Sequence, residues 1–364
     1  MAFCFVVCAA SLIGRSVLLA VDGGSIADVS SMSNRDSILL HEKESLRIPY
    51  ERCLEQVAMT VSGETKTPPR SFVRIENGVL SIPRETEGFR TKAIKANAFA
   101  GNLEIREVRV PSSVAWIGKR AFAGCSNLCS VVMLCGASDS ALYDDGVAYI
   151  HSEAFMDCTS LTNMVFPARL NAIYEWAYKG CRSLNEAILP PDVIHVSGST
   201  FDACESLRSG DLSLTMDTML YAFRGCPSLG NIRVSSNNAT YAVYDGAVYY
   251  KDLRALLRVP PQLGVRTFNV REGTKAICPF AFEDCRIESV TLPDSLVCIG
   301  DFAFSSCTNL VSVSIPSRVE EIGNYAFIGC TRLKNVIFMG HRLPKTSDVA
   351  FPQHVKISIK SECR

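Results

Sequence analysis

The stretch Ile299–Phe338, IGDFAFSSCTNLVSVSIPSRVEEIGNYAFIGCTRLKNVIF, decides the fold. It states one pattern twice. Ala303, Phe304, Cys307, Leu310, Val313, Ile315 and Pro316 are followed by Ala326, Phe327, Cys330, Leu333, Val336 and Phe338. The unit reads A-F-x-x-C-x-x-L-x-x-V-x-I-P. Working outward, its aromatic position recurs as Phe99, Phe122, Phe155, Tyr178, Phe201, Phe223, Phe282, Phe304, Phe327 and Phe351. The successive gaps are 23, 33, 23, 23, 22, 59, 22, 23 and 24. Two gaps are long and mark insertions. A fixed period in this range is the signature of stacked rungs.

Within a rung, Ile322, Ala326, Phe327 and Cys330 have the offsets of one face of a short helical turn. Val336 and Phe338 alternate with Ile337, which predicts a short strand with one face buried. Pro316 cannot donate to a sheet ladder and closes the strand before it. One rung buries too few apolar side chains to offset the entropy of ordering it. Stacking supplies the rest.

Composition sets outer bounds. The chain has 364 residues, 48% of them hydrophobic and 20% charged, so it can bury a long core. Lysine plus arginine and aspartate plus glutamate are equal at 37 each, which gives no electrostatic case for nucleic acid or an anionic membrane. Of 16 cysteines, eight follow the aromatic by three residues: Cys125, Cys158, Cys181, Cys204, Cys226, Cys285, Cys307 and Cys330. They should form one column. Side chains in such a column point the same way, whereas disulfides and metal sites need convergence. A column of small buried thiols follows.

The ends and gaps carry their own signals. Residues 1–27 contain the apolar run MAFCFVVCAASLIGRSVLLAV and the small-x-small triplet Ser25-Ile26-Ala27. They read as a signal peptide or an apolar N-terminal segment. Residues 28–71 are polar and read as a linker. In residues 72–98, Asn77-Gly78 between two apolar runs predicts a hairpin and an N-terminal cap. The solenoid occupies 99–360. Hairpin insertions fall near 136–149, around Asp145-Gly146, and near 235–262, around Asp245-Gly246. Tyr244 and Tyr249 in the second insertion are candidate contacts for a partner, or they pack the hairpin onto the solenoid.

These repeats resemble the BspA-like leucine-rich repeats, the type also described in treponemes, over roughly residues 72–360. The insertion NNATYAVYDGAVYYKDLRALLRVPP and the ending FMGHRLPKTSDVAFPQHVKISI are similar to elements of the same arrays. The resemblance implies a leucine-rich repeat solenoid of α/β class. Its curved parallel sheet takes one short strand and a short helical turn from each rung. It also implies a surface-exposed or secreted protein, associated with adhesion to host matrix proteins and other cells, without catalytic residues.

The residues agree on the last point. The five histidines form no H-E-x-x-H; His41-Glu42-Lys43-Glu44-Ser45 fails at its last position. Neither G-x-S-x-G nor a phosphate loop occurs. No enzyme, cofactor or metal site is expected. Asn238-Ala239-Thr240 is a glycosylation sequon, relevant in a eukaryotic secretory pathway. What remains is the outward position of each strand: Arg109, Val132, Val165, Ile188, Asp211 and Arg233, then Thr291, Ser314 and Ile337. Three adjacent apolar residues there form a stripe that suits a protein partner, a host extracellular or cell-surface protein or a second copy of the chain. Equally, β-branched residues simply suit strands. A membrane contact is expected only through an N-terminal anchor.

Overall fold

The computed structural model describes residues 75–360 apart from 87–88, 135–145, 191–192, 213–220, 222, 237 and 348. The candidate signal peptide, the linker and most of the first insertion lie outside the described residues.

Among the described residues the rungs contribute strands to two rows, the first and second sheets, each interrupted along the solenoid. The first holds Val79–Ser81, Glu107–Val110, Ser130–Met133 and Asn163–Met164, all parallel. It resumes as Glu186–Ala187, Ser209–Leu212 and Asn231–Val234. After the insertion it continues from Thr267–Asn269 through Ser289–Thr291, Ser312–Ile315 and Asn335–Phe338 to Lys356–Ile359. The second sheet is made of two-residue strands. Ala93–Ile94, Trp116–Ile117, Tyr149–Ile150, Ala172–Ile173 and His195–Val196 form its first part.

The expected helical turn is absent. No α-helix occurs among the described residues, and the segment between the two strands is a run of stacked turns. The cause is visible in the backbone. Arg120 and Gly124 flank Phe122 with φ of 56° and 74°, and Phe302 and Ser306 flank Phe304 with 55° and 57°. Two left-handed residues on either side of the aromatic cannot belong to a right-handed helix. The amide of the aromatic turns away from its own rung. Phe122 donates to the carbonyl of Ala154 at 2.8 Å, and Phe304 to that of Ala326 at 2.7 Å.

The core is a set of columns. Phe99, Phe122, Phe155 and Tyr178 stack at 5.3 Å between successive ring centroids, and Phe282, Phe304 and Phe327 at 4.6 and 4.9 Å. The cysteine column lies beside them and does more than fill space. Each thiol donates to the carbonyl of an earlier rung: Cys125 to Phe99 at 3.1 Å, Cys181 to Phe155 at 3.1 Å and Cys307 to Phe282 at 3.0 Å. Cys226 and Cys330 do the same to Phe201 and Phe304. Cysteine suits this position because it is small and apolar yet carries a weak donor. Burial pushes the Cys226 and Cys285 thiols up to about 12.

Turn chemistry shapes the hairpins. Asn77-Gly78 joins Ile75–Glu76 to Val79–Ser81 with φ of 51° and 82°. Asp245-Gly246 joins Tyr241–Tyr244 to Ala247–Tyr250 with 53° and 80°. Both are two-residue turns with positive φ at each central position. The second hairpin continues into Ala255–Arg258, which pairs in parallel with Ala276–Ile277. The insertion thus becomes part of the second sheet, which runs on through Cys298–Ile299 and Glu321–Ile322 to Lys345–Thr346. Here Val259 stands where an aromatic would be, donating to Ala281 and accepting from Cys285. The buried Arg258 bridges the junction. It donates to the carbonyls of Phe223 and Phe280 and pairs with Glu283, whose carboxylate accepts from Gly225 at 3.0 Å.

Candidate functional face

The outward row of the first sheet is set by strand alternation. In Glu107–Val110 and Ser130–Met133, Val108, Val110, Val131 and Met133 are buried while Arg109 and Val132 face solvent. Ladder register places Arg109 opposite Val132, and Asp211 opposite Arg233. Asn185 donates to Thr162 at 3.2 Å, which brings the rungs of Val165 and Ile188 side by side. Val132 is 38% exposed, Val165 76% and Ile188 50%; Leu134, two residues on from Val132, adds 49%. Residues of this size are expensive to leave in water at about 25 cal/mol per Å2.

Charge brackets the apolar stripe. At one end Arg109 pairs with Glu107 of its own strand at 2.6 Å. At the other, Arg233 grips Asp211 with two hydrogen bonds, of 2.6 and 3.3 Å. The stripe spans the rungs between them. Past the insertion the outward row changes character to Thr267, Asn269, Ser289, Thr291, Ser312 and Ser314, with Thr267 and Ser289 hydrogen-bonded at 2.9 Å, before one partly exposed aliphatic residue, Ile337, follows Ser314.

Two sequence candidates do not join this face. Tyr244 and Tyr249 belong to the hairpin in the second sheet. Tyr249 is fully buried, its hydroxyl accepts from the Arg271 amide, and burial pushes it up to about 12. It is an architectural residue, because its ring lies in the buried core cluster with Leu256, Phe268 and Phe282; this corrects its reading as a contact residue. Tyr244 is half-buried, with the Arg271 guanidinium 4.7 Å from its ring centre and held there by Asp245. Asn238 of the sequon is also buried, its side-chain oxygen accepting from Thr240 and Tyr241.

Sequence reading missed Leu134, which strand alternation extends from Val132. It also missed a half-buried aromatic line on the second sheet. Trp116 stacks on Tyr149 at 4.4 Å, His151 on Tyr174 at 4.7 Å, and Tyr174 lies 5.8 Å from His195. Burial, aided by Lys119, holds His151 below the usual imidazole value. The available signal was the pair of residues flanking each inward isoleucine or valine, as in Trp116-Ile117, Tyr149-Ile150-His151, Ile173-Tyr174 and His195-Val196. A depression of about 370 Å3 bordered by Lys92, Ser113, Arg169 and Asn171 gathers neither paired carboxylates nor a nucleophile with a base. Among the described residues no group of three or more His, Cys, Asp or Glu could hold a metal ion. No helix among them is long and apolar enough to cross a membrane.

The sequence profile of the BspA type leucine rich repeat region matches residues 86–141, 134–249 and 262–361, in six copies. The chain belongs to that family. Solved structures agree on the fold. A leucine-rich repeat protein from Eubacterium ventriosum has a TM-score of 0.60 at 23% identity, over 74% of this chain and 70% of the other. The pneumococcal vaccine antigen PcpA gives 0.58 at 18% identity, over 80% and 91%. A leucine rich cell surface protein from Faecalibacterium prausnitzii gives 0.53 at 23% identity, over 80% and 89%. No curated protein matches the chain in sequence. Leucine-rich repeat proteins generally bind other proteins, and the family is generally non-enzymatic.

Proposed function

We propose that this chain is a non-enzymatic, adhesin-like protein of the cell surface or of the secreted fraction, which holds a protein partner on the face centred on Val132, Val165 and Ile188. The observation that carries this reading is the exposure of three large aliphatic side chains in adjacent rungs. Their removal from water supplies the attraction. Arg109, Asp211 and Arg233 at its borders supply orientation and selectivity, since rim charges steer association more than they hold it. Family members are typically at the surface or secreted, and a host matrix or cell-surface protein fits that setting.

The test is a triple variant, V132D/V165D/I188D, compared with wild type for binding to immobilised matrix and serum proteins. All three positions face solvent, so the circular dichroism spectrum and Tm should change little. Loss of binding with an intact spectrum is expected. Full retention of binding by a folded triple variant would overturn the placement.

A further inference from the structure

The order of residues along the exposed row is self-complementary. Read rung by rung it is Arg109, Val132, Val165, Ile188, Asp211, with Val165 at the centre. One step either side of Val165 are two aliphatic residues, and two steps either side are opposite charges. We infer that this face binds a second copy of the chain, face to face about a two-fold axis that passes through Val165 along the strand direction. The inference rests on the reading of this face as a protein-binding surface and names its partner.

Such an axis keeps the strand direction and reverses the order of rungs. Val165 then meets its own copy. Val132 meets Ile188, and Arg109 meets Asp211, each pairing occurring twice, as an isologous contact requires. The next step outward also agrees. Ser81, opposite Arg109 in its own sheet, meets Arg233 and brings no like charge. In the adjoining column Glu107 meets Ser209, and Ser130 meets Glu186. The other face-to-face arrangement, with the axis along the solenoid, puts Arg109 on Arg109 and Asp211 on Asp211. Like charges at that distance repel. The charge pattern therefore selects the antiparallel solenoid order.

The contact also completes the two ion pairs already present. Arg109 holds Glu107, and Asp211 is held by Arg233. Apposed, they form an alternating run of Glu107, Arg109, the copy's Asp211 and the copy's Arg233, once at each end of the apolar centre. Rungs about 4.8 Å apart make the seven rungs from Ser81 to Arg233 about 29 Å long, and five residues at about 3.4 Å make them about 17 Å wide. That is on the order of 500 Å2 from each copy, at the weak end of specific interfaces. A reversible, concentration-dependent dimer follows.

Sedimentation equilibrium of the full chain tests this. Wild type should dimerise reversibly. Val165→Asp and Val165→Lys should each weaken self-association about tenfold or more, because the axis sets each new charge against itself. An equimolar mixture of the two should form heterodimer, since the axis then pairs Asp with Lys. Likewise Arg109→Asp and Asp211→Arg should each weaken the dimer, and the double variant R109D/D211R should recover it. That recovery has no source within one chain, where Glu107 faces a new aspartate and Arg233 a new arginine. A strictly monomeric wild type, a dimer indifferent to Val165→Asp, or a mixture that stays monomeric would each overturn the inference. If wild type is monomeric but V132D/V165D/I188D still abolishes capture by an immobilised protein, the second-copy inference fails and the binding reading stands. If the triple variant alters neither dimerisation nor capture, both fail.

Discussion

The rungs before the insertion and the rungs after it have the same interior and different exteriors. Phe122 and Phe304 sit in equivalent stacks, and Cys125 and Cys307 make equivalent bonds to an earlier carbonyl. On the outward row the first half carries Val132, Val165 and Ile188, and the second carries Thr291, Ser314 and a single aliphatic residue, Ile337, at corresponding places. Interior positions are fixed because each side chain must fit the copies above and below it. Outward positions escape that constraint, so a difference between halves there reflects either a surface role or strand preference alone.

The largest effect should come from breaking what the halves share. Phe304 is fully buried between Phe282 and Phe327. Phe304→Ala should cost about 3–5 kcal/mol in urea unfolding, by lost transfer energy and the cavity it leaves. A cost near that of a surface substitution would show that the column is not the stabilising element. Next comes a position where the halves differ inside. Gly210 occupies an inward strand site, opposite Ala187 and Ile232, and a Cβ there would lie 2.5 Å from the Phe223 ring. Gly210→Val should destabilise by about 1–3 kcal/mol through overpacking. The same residue type is native at the matching Val131, Val290 and Val313.

Smaller again is the thiol. Cys307→Ala removes the donor to Phe282, whose carbonyl still accepts from the Cys285 amide. The loss should be about 1 kcal/mol, with Cys125→Ala similar in the first half. In the native protein the column thiols should resist a thiol reagent, being buried and bonded to a neighbouring rung, while the exposed Cys129 reacts. Rapid reaction of the whole set without unfolding would refute the column's closure.

What the sequence disclosed follows from the same physics. The period, the aromatic and cysteine columns and the two Asn-Gly and Asp-Gly turns are legible because they repeat or are local. The helical turn was misread because the offsets of Ile322, Ala326, Phe327 and Cys330 arise equally from stacked turns. The discriminating signal was the glycine two residues after the aromatic, at Gly124, Gly180, Gly225 and Gly329, where φ is positive. The second sheet escaped notice since two-residue strands show no alternation. The thiol-to-carbonyl bonds reach a neighbouring rung some 25 or 26 residues away, as from Cys307 or Cys330, and no local pattern displays such a partner. On the face, alternation identified the outward side of Val132 and Ile188. It could not show that Tyr249, equally alternating, turns into the core.

The smallest change in stability should accompany the largest change in behaviour. Exchanging the outward residues of the halves tests whether the surface difference is functional or only a strand preference. V132T/V165S/I188S gives the first half the surface of the second. It should shift stability by about 0.5 kcal/mol or less, because all three side chains already stand partly in water. Protein capture and self-association should nonetheless fall. The reciprocal T291V/S314I change, beside the native Ile337, makes a stripe of three aliphatic residues on adjacent rungs of the second half without the bracketing Arg109 and Asp211. If apolar surface alone suffices, that variant should bind as wild type does or better. If the charge order matters, it should associate without a defined stoichiometry, because nothing selects an orientation. A V132T/V165S/I188S protein that binds normally would mean that β-branched residues sit there only because strands favour them, and the halves would then differ in composition alone.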